Sequence, residues 1–105
     1  MGFDIFDRKY MVDLEHKDLE DYENLQRELF RVGFFWAGGA GRFDTDMACA
    51  IYLNDYGHTG KLCKRSSRDR EYYVEIESGE YTELSYDFLM QKLSELPAKN
   101  TGQPD

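Results

Sequence analysis

The spacing of apolar residues changes period several times along the chain, and each change marks an element. Leu19, Tyr22, Leu25, Leu29 and Val32 recur at steps of three and four, which places them on one helical face. Asp18 is suited to cap that helix, Glu20, Asp21 and Glu23 lie near its positive end, and Gly33 supplies the left-handed residue that stops it. A second stripe, Tyr86, Leu89, Met90, Leu93 and Leu96, predicts a helix from about Ser85 to Leu96, closed by Pro97. Elsewhere the period is two. Residues 3–14 alternate at Phe3/Ile5 and again at Tyr10/Val12/Leu14, which predicts one long strand or a tight hairpin. The wholly apolar Phe34-Phe35-Trp36-Ala37 reads as a short buried strand. Met47–Leu53, Lys61–Arg65 and Glu71–Glu77 read as three further strands joined by short, turn-rich linkers, an antiparallel meander.

The predicted order is therefore β(β)-α-β-β-β-β-α. Two helices with one apolar face each require one sheet face to cover, so the expected class is α+β: an antiparallel sheet of four to six strands with both helices on one side. Residues 1–97 form a single domain in this reading. Residues 98–105 contain no apolar side chain larger than alanine and read as a disordered tail.

Composition narrows the function classes. Of 105 residues, 21 are acidic and 13 basic, giving a formal charge of −8. Phosphate neutralisation needs a basic surface, so direct nucleic-acid binding is disfavoured. No apolar run is long enough to span a membrane and no leader pattern opens the chain. Cys49 and Cys63 fit no zinc spacing and read as small buried hydrophobes in a reducing cytoplasm. No cofactor motif is present.

The charge is unevenly placed. Residues 61–70 carry five basic side chains (Lys61, Lys64, Arg65, Arg68, Arg70) against Asp69, while residues 71–87 carry six acids and no base. Residues 1–28 hold nine acids and four bases. The antiparallel meander would set Lys64 against Glu75, a solvated pairing of small worth. The functional counterpart is a bipolar surface with an acidic face for a basic partner. Eight tyrosines are an unusually high load, and tyrosine is enriched at interfaces. The expected protein-binding surface is Tyr73, Glu75, Glu77, Glu80, Tyr81 and Glu83.

Two further constellations compete. Gly38, Gly39, Gly41 and Arg42, with Trp36, Lys64 and Arg65, offer amides, a stacking ring and positive charge for a nucleotide; a plain glycine-rich loop is the simpler reading, because no phosphate-loop motif completes the segment. Asp44 and Asp46 offer paired carboxylates for metal-assisted hydrolysis, but no catalytic histidine, serine or cysteine pattern accompanies them, and no enzyme is expected.

The run Leu29-Phe30-Arg31-Val32-Gly33-Phe34-Phe35-Trp36, the glycine-rich gap, the Gly60-Lys61-Leu62 turn exit and the closing helix around Phe88-Leu89-Met90 together resemble, over residues 18–96, the layout of small bacteriophage accessory proteins. Some of these are anti-defence proteins, including anti-CRISPR inhibitors. The resemblance implies a mode of action, in which a small domain binds and blocks one host protein or complex in the host cytoplasm, and it implies no individual site residue.

Overall fold

The computed structural model describes residues 5–36, 43–55, 60–65 and 70–97. Gly38, Gly39, Gly41, Arg42, Phe3 and the expected tail at 98–105 lie outside the described residues. The elements are β1 (Tyr10–Asp13), α1 (Leu19–Val32), β2 (Phe35–Trp36), β3 (Ala50–Leu53), β4 (Lys61–Arg65), α2 (Arg70–Glu77), β5 (Thr82–Leu84) and α3 (Tyr86–Ser94). The class is α+β, and the five strands form one sheet in the order β2-β4-β3-β1-β5.

The sheet is mixed. β3 pairs antiparallel with both β1 and β4, whereas β1–β5 and β2–β4 are parallel pairs. Four strands therefore run one way and β3 alone runs the other. That pattern explains where the helices sit. The β1-α1-β2 connection crosses the sheet in one direction and the β4-α2-β5 connection crosses in the opposite direction. Crossovers of one hand that travel in opposite directions must use opposite faces.

α1 and α3 share the first face. Tyr22, Leu25, Leu29, Leu89 and Leu93 are buried there with Val12, Ile51, Leu53 and Leu62. At the start of both helices the Tyr86 hydroxyl donates to Asp21 O at 3.0 Å; at their ends Arg31 donates to Leu93 O and Leu96 O. The two helices thus run side by side in the same direction. Asp18 caps α1 in a reciprocal box with Asp21, Gly33 closes it at φ 116°, and the Ser85 hydroxyl accepts from Phe88 N at the start of α3.

α2 covers the second face, where Met11, Ala50, Tyr52, Tyr72 and Tyr81 are buried together. This corrects the expected strand over Glu71–Glu77. The alternation of Tyr72, Val74 and Ile76 also contains the helical pair Tyr72/Ile76, and the helix turns that pair inward while leaving Val74 outside. The sheet accordingly carries three helices on two faces; the place beside β4 expected of the third meander strand is taken by β2, and β5 is added at the opposite edge, beside β1. The expected strand at residues 3–14 is confined to Tyr10–Asp13, since the chain bends at Asp7-Arg8. The strand expected from Met47 begins at Ala50. Phe35 and Leu19, expected to be buried, are about two-fifths exposed: Phe35 is on an edge strand and Leu19 on the first turn of α1.

Two buried amides organise the connections. Asn54, at φ 60°, donates to Ile5 O and Arg8 O and accepts from Gly60 N. Gln26, fully buried on α1, accepts from Trp36 Nε1 (2.9 Å) and Asp44 N (2.7 Å) and donates to Asp44 O (2.9 Å).

Candidate functional site

The sheet order turns the charge blocks of the sequence into a spatial arrangement. Glu77, Glu80, Glu83 and Asp87 follow one another from the end of α2 through edge strand β5 into α3. The bases of β4 lie three strand positions away, about 14 Å at the usual strand spacing. Lys64 does not meet Glu75. Its ammonium instead reaches Asp44 Oδ2 at 2.9 Å and Asp46 Oδ2 at 3.7 Å, and Arg65 faces Glu71 at 3.5 Å.

Because β1 and β5 are parallel, their C-terminal ends emerge together; β5 leads through Ser85 into α3, and β1 through residues 14–18 into α1. An open cleft of about 430 Å³ lies between them, lined by Asp13, Glu15, His16, Lys17, Glu83, Leu84, Ser85, Tyr86 and Asp87. Four carboxylates thus surround one lysine and one histidine. Two helix N-termini point the same way, each equivalent to about half a positive charge, so together they offset about one carboxylate and the cleft stays negative. The existing cation indicates what the cleft accommodates: Lys17 Nζ lies 4.6 Å from the Tyr86 ring centroid and 3.9 Å from Asp87 Oδ1. An ammonium or guanidinium gains both a ring face and carboxylates in this position.

The expected contact residues divide. Glu83 lines the cleft, whereas Glu80 lies at the opposite, N-terminal end of the same edge strand, paired with Lys9 at 3.1 Å. Glu75 is turned inward and accepts from the Tyr52 hydroxyl at 2.5 Å. Tyr81 is only 3% exposed; it stacks on Tyr52 at 4.6 Å and donates to Asp55 at 3.0 Å, so it belongs to the core and not to a contact surface. Tyr73 and Glu77 lie on the outer side of α2. The aromatic ring of the acidic edge is Tyr86. In the sequence Tyr86 belongs to the helix stripe and Asp13 and Glu15 stand apart from Glu83, because only the β1–β5 pairing joins these distant segments.

Of the nucleotide constellation, Trp36 and Lys64 are engaged within the fold. Trp36 donates to Gln26, and Lys64 serves Asp44 and Asp46. Strand alternation sends Lys64 and Arg65 to opposite faces. Asp44 also accepts from the Tyr22 hydroxyl at 2.5 Å. Burial alone would raise the Asp44 pKa, but the hydrogen bonds from Tyr22 and Lys64 outweigh it and hold the carboxyl below its usual range. Among the described residues no group of three His, Cys, Asp or Glu side chains is placed to hold a metal ion. Cys49 and Cys63, expected to be buried, are half-buried and not joined in a disulfide, and burial pushes the Cys63 thiol pKa up.

Tyr22, Tyr52 and Tyr81 each donate to a carboxylate. Burial first, and those carboxylates second, raise all three phenol pKa values well above the ordinary value of 10.0. A raised folded pKa gives stability that is complete below the unfolded value and lost as pH climbs towards and through the folded one. The domain is therefore expected to unfold cooperatively above about pH 10, with these phenols ionising in the same transition. Circular dichroism and tyrosinate absorbance followed together over an alkaline titration check this. Smooth ionisation of all eight tyrosines with the fold intact would refute it.

Comparison with protein-family models, with curated proteins and with solved structures gives no match to this chain. Among the described residues no helix is long and apolar enough to cross a membrane.

Proposed function

We propose that this domain is a non-catalytic protein-binding inhibitor or adaptor that engages a basic surface of its partner through the acidic β5 edge. The observation that carries this reading is the convergence of Asp13, Glu15, Glu83 and Asp87 on one cleft whose resident cation rests on the Tyr86 ring. A lysine or arginine of the partner enters the cleft, and Glu80 extends the complementary field along the edge. The layout resemblance to small phage accessory proteins favours the inhibitor form, acting on a host protein that handles nucleic acid and so presents basic grooves. Two cysteines outside any disulfide suit a reducing cytoplasm.

Affinity capture from lysate of the cells that express the protein, at rising salt, tests the reading. A stoichiometric partner should be retained at low salt and released as salt screens the charges. Its affinity should fall at least about tenfold with Glu83→Lys/Asp87→Lys. Both positions are exposed, so the variant keeps its fold. A partner held equally well by that variant, or no partner at low salt, overturns the proposal.

A further inference from the structure

The outer face of α2 has a symmetry of its own. The inward side of this helix is Tyr72, Glu75 and Ile76, which meet the second sheet face. The outward side is Arg70, Tyr73, Val74 and Glu77, all exposed, at the i, i+3, i+4, i+7 spacing of a single helical stripe. Tyr73 and Val74 are each about half exposed, the two most exposed large apolar side chains among the described residues. Tyr73 is held in place from below, with the ring of buried Tyr72 meeting it edge-on at 5.0 Å and 89°. An exposed ring already ordered in this way loses little further freedom on contact.

The stripe is self-complementary about its midpoint, which falls between Tyr73 and Val74. Laid antiparallel against a second copy of itself, it sets Arg70 opposite the partner's Glu77 at one end and Glu77 opposite the partner's Arg70 at the other. In the centre, Tyr73 meets the partner's Val74. This is the isologous arrangement that a twofold axis requires. We propose that α2 mediates homodimerisation of this protein through that antiparallel pairing. The occupant is a second copy and not an unrelated helix because the charge order, basic then apolar then acidic, is complementary to its own reverse. Two helices of eight residues bury less than the roughly 1,200 Å² of stable interfaces, so the dimer is weak and depends on concentration. The acidic cleft is lined by residues outside α2 and is doubled in the dimer, which makes the assembly bivalent. The inference stands independently of what the cleft binds.

Sedimentation velocity over a concentration series at physiological ionic strength tests it. The wild-type mass should rise from 12.4 kDa towards twice that value. Arg70→Glu and Glu77→Arg each place like charges at both ends of the contact and should remain monomeric. Mixed in equal amounts, the two variants should associate, since a stripe with acids at both ends then faces a stripe with bases at both ends. The double exchange Arg70→Glu/Glu77→Arg should dimerise as the wild type does. Val74→Lys, which leaves the inward side untouched, should abolish association and serves if either charge variant fails to fold; circular dichroism decides that. A wild type that stays monomeric at millimolar concentration, single variants that dimerise normally, or a mixture that does not associate would each overturn the proposal.

Discussion

Asn54→Ala should remove about 4 kcal/mol of folding stability, a large share of the roughly 5–15 kcal/mol typical of a domain. Three hydrogen bonds depend on this one side chain. Its amide nitrogen reaches Ile5 O at 2.9 Å and Arg8 O at 2.7 Å, and its carbonyl accepts from Gly60 N at 2.8 Å. Asn54 is 3% exposed, so water cannot replace the amide group without rearrangement, and each orphaned backbone group costs about 1 kcal/mol or more. The backbone adds to the loss, because Asn54 sits at φ 60°, a conformation that asparagine tolerates and alanine adopts at a cost of about 1 kcal/mol. Urea denaturation should show a lower midpoint with an unchanged slope. A loss below about 1.5 kcal/mol would mean that the three bonds are not made in solution.

Gln26→Leu should cost about 3 kcal/mol, although leucine is apolar and a good helix former. The substitution strands the Trp36 indole N–H, the Asp44 N–H and the Asp44 carbonyl. Gln26 bonds to the chain at both Trp36 and Asp44, so its loss removes the link between them, leaving Asp44 to Tyr22 and Lys64 and Trp36 to its pairing with β4. Trp36 is the single tryptophan, and its fluorescence reports the event directly. Acrylamide quenching should increase in Gln26→Leu. Unchanged quenching together with unchanged stability would show that the clasp carries no energy.

These two residues also mark where sequence reading stops. α1 and α3 are legible because a periodic stripe, a capping side chain and a stop coincide at each. β3 and β4 are legible as neighbours because a short turn joins two alternating runs. Gln26 carries a usable signal, since it falls at the i+4 position from Tyr22 on the same face as Leu25 and Leu29. A polar residue on the apolar side of a helix is a prompt to look for its partners. α2 is illegible for a different reason: Tyr72, Val74 and Ile76 satisfy the strand period while Tyr72 and Ile76 alone satisfy the helical one, and in the structure that pair is the one turned inward. β5 itself has three residues with only Leu84 buried, too little pattern to read. The acidic site is half legible. Its charge density shows in the sequence, but its members do not, because parallel pairing joins segments about seventy residues apart.

That pairing also governs how the domain is made. β1 lies against β5, and α1 lies beside α3, so elements synthesised early rest on elements synthesised late. Closure of so long a loop must precede the burial of β5 and α3, which slows their docking relative to elements joined by local contacts. A chain that ends before Tyr86 lacks Leu89 and Leu93, so the part of the first-face core that these two side chains fill stays open. The first-face core is therefore completed only when α3 docks beside α1.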